Sequence, residues 1–147
     1  MDYNYEYVEF LINEHLVVSE ENAENERGQI MGIFDWAVSQ DAIVGLDVAD
    51  IVDMIEGCKE IYWSNCNSKE VADENVMGKT LIERAGVTVE ECGKVFLNYR
   101  GDVSLVQVND VAESVSGTLK DNVDIYLAAS TDWDMEEEYD VTALFIV

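Results

Sequence analysis

Asp47 and Asp50 lie three residues apart in the run Gly45-Leu-Asp-Val-Ala-Asp50, at what reads as the start of a helix. A carboxylate at that place accepts hydrogen bonds from the unpaired N–H groups of the first turn, and its charge complements the helix dipole. Capping alone explains Asp47, and Asp50 is one acid among 32. A cap or a solvated surface is therefore as good a reading of the pair as a contact site. The other groups with chemistry to offer form no catalytic set. His15 is the single histidine, so no Ser-His-Asp or Cys-His arrangement can be built around more than one position. Cys58, Cys66 and Cys92 have the wrong spacing for a zinc site with His15, and buried thiols are the expected reading. Asp132, Asp134, Glu136, Glu137 and Glu138 form an acidic run around Trp133. This run reads as a solvated tip with no EF-hand spacing. Trp133, with Met135, is a candidate partner anchor or a side chain folded back over a sheet. No glycine-rich phosphate cradle occurs, so no nucleotide, metal or cofactor is expected.

The elements that must position these groups follow from the apolar periodicity. Lys94-Val-Phe-Leu-Asn-Tyr99 predicts a strand. Ser104 with Gln107 three residues on makes a capping-box pattern. Leu105, Val108, Val111, Ala112 and Val115 then predict a helix face, ended by Gly117. Val123, Ile125, Leu127 and Ala129 alternate with Asp124, Tyr126, Ala128 and Ser130, the pattern of a strand with one wet face. An acidic hairpin from Thr131 to Tyr139 leads to Val141 through Val147, a strand apolar on both faces.

Upstream, the alternating tyrosines of 3–12 read as a strand, and Ile30, Ile33, Phe34, Ala37 and Val38 predict a helix. Met31 and Trp36 lie off that stripe and call for a second apolar contact. Asp47 caps a helix whose buried stripe is Val48, Ile51, Val52 and Ile55, stopped by Gly57. Ile61, Tyr62 and Trp63 mark a strand. Asn67 with Glu70 suggests the start of a helix running to Ala85, with Gly86 as its terminal glycine. The fold class is α+β: a mixed sheet of about four strands packed by two helices, extended by an N-terminal strand and helix.

Bulk properties restrict the partners. With 32 acidic against 8 basic residues, the 147-residue chain carries −24 at neutral pH. That repels nucleic-acid phosphates and anionic membrane surfaces. No run approaches the roughly 20 apolar residues of a membrane span, and no basic segment precedes an apolar one as in a secretory signal. Three cysteines without C-x-x-C spacing fit reduced thiols and a cytoplasmic setting.

Taken together, three segments resemble the C-terminal half of FtsZ, the bacterial and archaeal relative of tubulin. Gly93-Lys-Val-Phe-Leu-Asn-Tyr-Arg-Gly-Asp102 is similar to that family's G-x-L-x-N-I-x-G-G. Val106-Gln-Val-Asn-Asp-Val-Ala-Glu113 is similar to its E-V-N-E-A-A helix, and 121–147 to its closing strands. Gly45-Leu-Asp-Val-Ala-Asp50 resembles N-L-D-F-A-D, the loop that reaches the nucleotide of the next subunit, with Gly45 where the family has Asn. The resemblance implies three segments: 1–40, a remnant of the inter-domain region; 41–57, the loop and its helix; and 58–147, an FtsZ C-terminal-like domain. It also implies that Asp47 and Asp50, with Gly45 beside them, would be the trans-acting carboxylates. The family's G-G-G-T-G-[ST]-G phosphate loop is absent from these residues, as are its flexible tail and terminal partner-binding peptide. The expectation is a protein that is not an enzyme, binds no nucleotide, and docks on an FtsZ-like polymer or its regulators. Two other classes compete with it: an acidic decoy occupying a basic protein site, and a module that self-associates into a homo-oligomer.

Overall fold

The computed structural model describes residues 5–18, 20–39, 42–102, 104–132 and 139–147. Trp133 and the acidic residues 134–138 lie outside the described residues. The elements in order are α1 (Tyr5–His15), α2 (Ala23–Ala37), β1 (Ala42–Val44), α3 (Val48–Ile55), β2 (Ile61–Asn67), α4 (Glu74–Ala85), β3 (Lys94–Gly101), α5 (Leu105–Thr118), β4 (Asp124–Ser130) and β5 (Tyr139–Ile146). Five strands form one sheet in the order β1-β4-β3-β5-β2. β3 and β4 run parallel, and the other neighbours are antiparallel. Four of the strands are seven or eight residues long, and β1, with three, is a short edge.

Period-two side-chain alternation splits the sheet into two packed faces. Val95, Leu97 and Tyr99 of β3 point to the face covered by α4 and α5, with Val141, Ala143 and Phe145 of β5 beside them. Phe96, Leu144 and Ala128 point to the opposite face, covered by α1, α2 and α3. There the rings of Phe34 and Phe96 meet at 5.7 Å between centroids. Each fully buried side chain of this size contributes about 1.5–3 kcal/mol of transfer free energy.

Several expectations change. The N-terminal segment is a helix, not a strand. Val8, Leu11 and Ile12 are buried at helical spacing, and that period outweighs the β-propensity of the tyrosines. The 131–139 connection is not a hairpin between neighbours, because β3 lies between β4 and β5. β4 has no wet face: Ile125 and Leu127 pack on the α4–α5 side while Tyr126 and Ala128 pack on the other. The helix expected from Asn67 begins at Glu74 and is capped by Asp73. Asn67 instead folds a turn, its side-chain oxygen accepting from the N–H groups of Lys69 and Glu70 at 3.0 Å each. Gly117 lies inside α5, which ends at Thr118, and Leu105 is 63% exposed at its start.

Candidate functional site

The loop that joins β1 to α3 is held at both ends by backbone geometry. Leu46 N–H donates to the Ala37 carbonyl at 2.9 Å, pinning the loop to the last turn of α2. Gly45 fits tightly there: a Cβ at this position would lie 3.2 Å from the Ala37 oxygen and 3.3 Å from the Ala42 Cβ. This close approach gives a physical reason for glycine at a place where the family pattern has a polar side chain. Asp47 then takes the extended conformation of a helix cap, φ −98° and ψ 172°. Its Oδ1 accepts from Asp50 N–H at 2.8 Å, and Asp50 Oδ2 accepts from Asp47 N–H at 3.1 Å. The expected cap is thus a reciprocal capping box.

Gly45, Asp47 and Asp50 are all exposed, so the structure brings the three expected site residues together on one surface. The capping box uses one oxygen of each carboxylate and fixes the orientation of the other. Behind it, Ile51, Val52, Met54 and Ile55 are buried and anchor α3 to the sheet. A fourth residue, Tyr126 of β4, belongs to this neighbourhood and was not apparent from the sequence. Burial, and then the carboxylates of Asp124, Asp53 and Asp50, push its phenol above the usual tyrosine range. Nothing in the order of residues signals that contact, because Tyr126 is brought there by sheet register. The arrangement can accept hydrogen bonds and present negative charge. Among the described residues no cluster of His, Cys, Asp and Glu could hold a metal ion.

The remaining chemical groups are dispersed. Nδ1 of His15 lies 3.3 Å from the Lys59 carbonyl. Cys66 and Cys92 are buried and Cys58 is half-buried, all three as free thiols. Burial pushes each thiol up, which disfavours the thiolate. Glu70 is paired with Arg84 at 2.6 Å, and that hydrogen bond holds its carboxyl below the usual range.

A second feature lies along α2, reaching the same C-terminal end that holds the loop. Trp36 and Trp63 flank a cavity of about 400 Å³ whose far wall includes Asn65, Arg100, Asp140 and Thr142. Trp36, which fell off the apolar stripe of its helix, finds its second contact here: its ring lies 5.6 Å from the Arg100 guanidinium. Trp63 Nε1 donates to Glu26 at 3.2 Å. Among the described residues no helix is long and apolar enough to cross a membrane.

No protein-family model matches the sequence, and no curated protein does. Solved structures do. The chain is similar to an empty FtsZ dimer of M. jannaschii with a TM-score of 0.68 and 14% identity, over 88% of this chain and 40% of that one. It is similar to a tryptophan-to-tyrosine mutant of the same organism's FtsZ with a TM-score of 0.63 and 17% identity, over 89% of this chain and 42% of that one. The fold is therefore that of an FtsZ/tubulin-like C-terminal domain, as the three sequence segments implied. The chain spans less than half the length of the FtsZ structures it matches.

Proposed function

We propose that this domain docks on an FtsZ-type cell-division polymer through the β1–α3 loop, and that it turns over no nucleotide itself. One observation carries the reading. In an FtsZ-like fold, Asp47 and Asp50 are presented side by side, exposed and fixed by the capping box, on a loop similar to the family's trans-acting one. Phosphoryl transfer depends mainly on positioning and electrostatics, so carboxylates supplied by a neighbouring subunit suffice to orient an attacking water. The same pair on a docked chain acts on the partner's site or blocks the next subunit. A surface that meets a different surface on its partner makes a head-to-tail contact.

Asp47→Asn with Asp50→Asn is the discriminating variant. Asparagine caps helices as well as aspartate does, so the fold is kept while two charges are removed. The expected result is that the parent co-sediments with FtsZ polymers and the double variant binds at least fivefold more weakly. Equal binding by the two proteins, with α3 intact by amide exchange, removes the loop from the contact.

A further inference from the structure

We infer that Arg100 is a positioning residue for the docking loop: it latches α2 to the ends of β4 and β5, and through α2 it sets where Gly45 to Asp50 lie. The inference rests on the docking reading for its consequence, but its geometry is independent of it. Arg100 is next to last in β3. Its Nη2 donates to Asp140 Oδ2 at 3.4 Å, and its Nε lies 3.6 Å from Asp132 Oδ2. Asp132 follows the end of β4, and Asp140 belongs to the start of β5. The same guanidinium faces the Trp36 ring at 5.6 Å. One side chain of β3 therefore faces α2 and both ends of the β4–β5 connection.

From Trp36 the connection to the loop is short and made of hydrogen bonds. Ser130 Oγ donates to the Trp36 carbonyl at 3.2 Å, and Ser39 N–H donates to the same oxygen at 3.2 Å. The next carbonyl, that of Ala37, accepts from Leu46 N–H at 2.9 Å. The residue after Leu46 is Asp47, which opens the capping box. A displacement of the α2 terminus must therefore move Leu46, and with it the cap. A side chain at Gly45 would crowd the same Ala37 carbonyl, with its Cβ 3.2 Å from the oxygen. The two Arg100 contacts are longer than the roughly 2.7–2.9 Å of a tight charge-assisted bond. At 30% side-chain exposure they are also open to screening by salt. A loose, screened clasp on one end of a helix and a tight bond from that helix to a presented loop make a device that sets loop position.

Amide exchange on the whole chain tests this without any partner. Arg100→Met keeps an unbranched apolar stem and removes the guanidinium and its charge. The expected result is that Leu46 and Asp50 N–H exchange at least tenfold faster, while Leu97 and Phe145 in the β3–β5 ladder stay within twofold of the parent. Arg100→Lys, which retains charge and part of the ring contact, should restore the Leu46 rate to within threefold. Unchanged exchange at Leu46 overturns the latch, and so does a uniform rise at every amide, which would mark a general structural role. Should Arg100→Met fail to fold, Ser130→Ala carries the same comparison by removing only the bond to Trp36, with a threefold rise expected at Leu46 and no rise overturning the latch. The polymer assay separates the two readings. If the loop loosens and the parent does not co-sediment with FtsZ, the docking reading fails and the latch stands. If the parent does co-sediment and Arg100→Met, with unchanged exchange at Leu46, binds equally well, the latch fails and the docking reading stands.

Discussion

Gly78 and Gly32 sit in helix interiors on opposite sides of the same sheet, and their surroundings share nothing. A Cβ on Gly78 of α4 would lie 2.5 Å from the Val115 backbone nitrogen and 2.6 Å from the Ser114 carbonyl carbon of α5. A Cβ on Gly32 of α2 would meet nothing within 4 Å. The α4–α5 face is packed backbone against backbone. Ser114 completes it by accepting from Gly78 N–H at 3.1 Å and donating to the Asn75 carbonyl at 2.8 Å. The α1–α2–α3 face keeps a cavity beside α2, a clasped arginine and a presented acidic loop. Both faces are buried, but only the α1–α2–α3 face carries the cavity and the candidate docking loop. Substitutions at the two glycines therefore compare a tightly packed helix crossing with an open one.

The sharpest way to break this comparison is the same substitution on both faces. Gly78→Ala should destabilise by about 3 kcal/mol, because backbone cannot yield as a side chain does. Urea unfolding measures it, and a cost under about 1 kcal/mol would show that the α4–α5 crossing is not tight. Tyr99→Phe removes the bond from a buried hydroxyl to the Val108 carbonyl at 2.9 Å. A loss of about 1–1.5 kcal/mol is expected.

The pH dependence follows from the same residue. Burial, and secondarily the neighbouring Tyr139, push the Tyr99 phenol above its ordinary value of 10.0. The folded state therefore holds this proton more tightly than the unfolded chain. Its stabilisation is complete below pH about 10 and falls as pH rises beyond that. Unfolding measured between neutral pH and pH about 11 should show the parent losing stability above the unfolded tyrosine value, with a smaller decline in Tyr99→Phe. Equal declines would assign the alkaline sensitivity elsewhere.

On the presenting face, Asp47→Ala should cost about 1 kcal/mol through the lost cap, whereas Asp47→Asn should cost a few tenths at most. Similar losses for both would mean that charge, not capping, stabilises α3. Gly32→Ala should stabilise by about 0.5–1 kcal/mol, since helix propensity improves and no atom stands in the way. A destabilisation by thermal melting would show that α2 is more closely packed than the open Cβ position indicates.

The legible parts of this molecule were the local ones. The cap at Asp47 could be read from its residue type, and the capping box at Ser104 because a glutamine three residues on closes it. The left-handed terminal glycine Gly86, φ 73°, was equally local. The α1 helix was misread because Tyr5 and Tyr7 alternate with polar residues over a short span. The burial of Val8, Leu11 and Ile12 at helical spacing decides the matter, and it depends on packing. β1 was hidden by its length: three residues carry too little pattern to announce a strand. Leu105 fits the apolar stripe of α5 by spacing, yet it stands at the first turn, beyond the reach of the sheet. Of the candidate site, Gly45, Asp47 and Asp50 could be named from the sequence because they are consecutive or nearly so. Tyr126 and Arg100 were not, since register and chain crossing bring them to α3 and α2. Trp36 gave a partial signal as an apolar side chain off its stripe, without indicating that its partner would be a cation.

The β1–α3 loop is proposed to act on a tubulin-type polymer. Its most direct test is to follow GTP turnover and pelleting of FtsZ from the same source while this chain is titrated in, in parallel with Asp47→Asn/Asp50→Asn. A change in turnover or pelleting at substoichiometric ratios is expected for the parent, as for a ligand at filament ends, and a strongly reduced change for the variant. No change at a molar excess of the parent, or an identical response to both proteins, would contradict it.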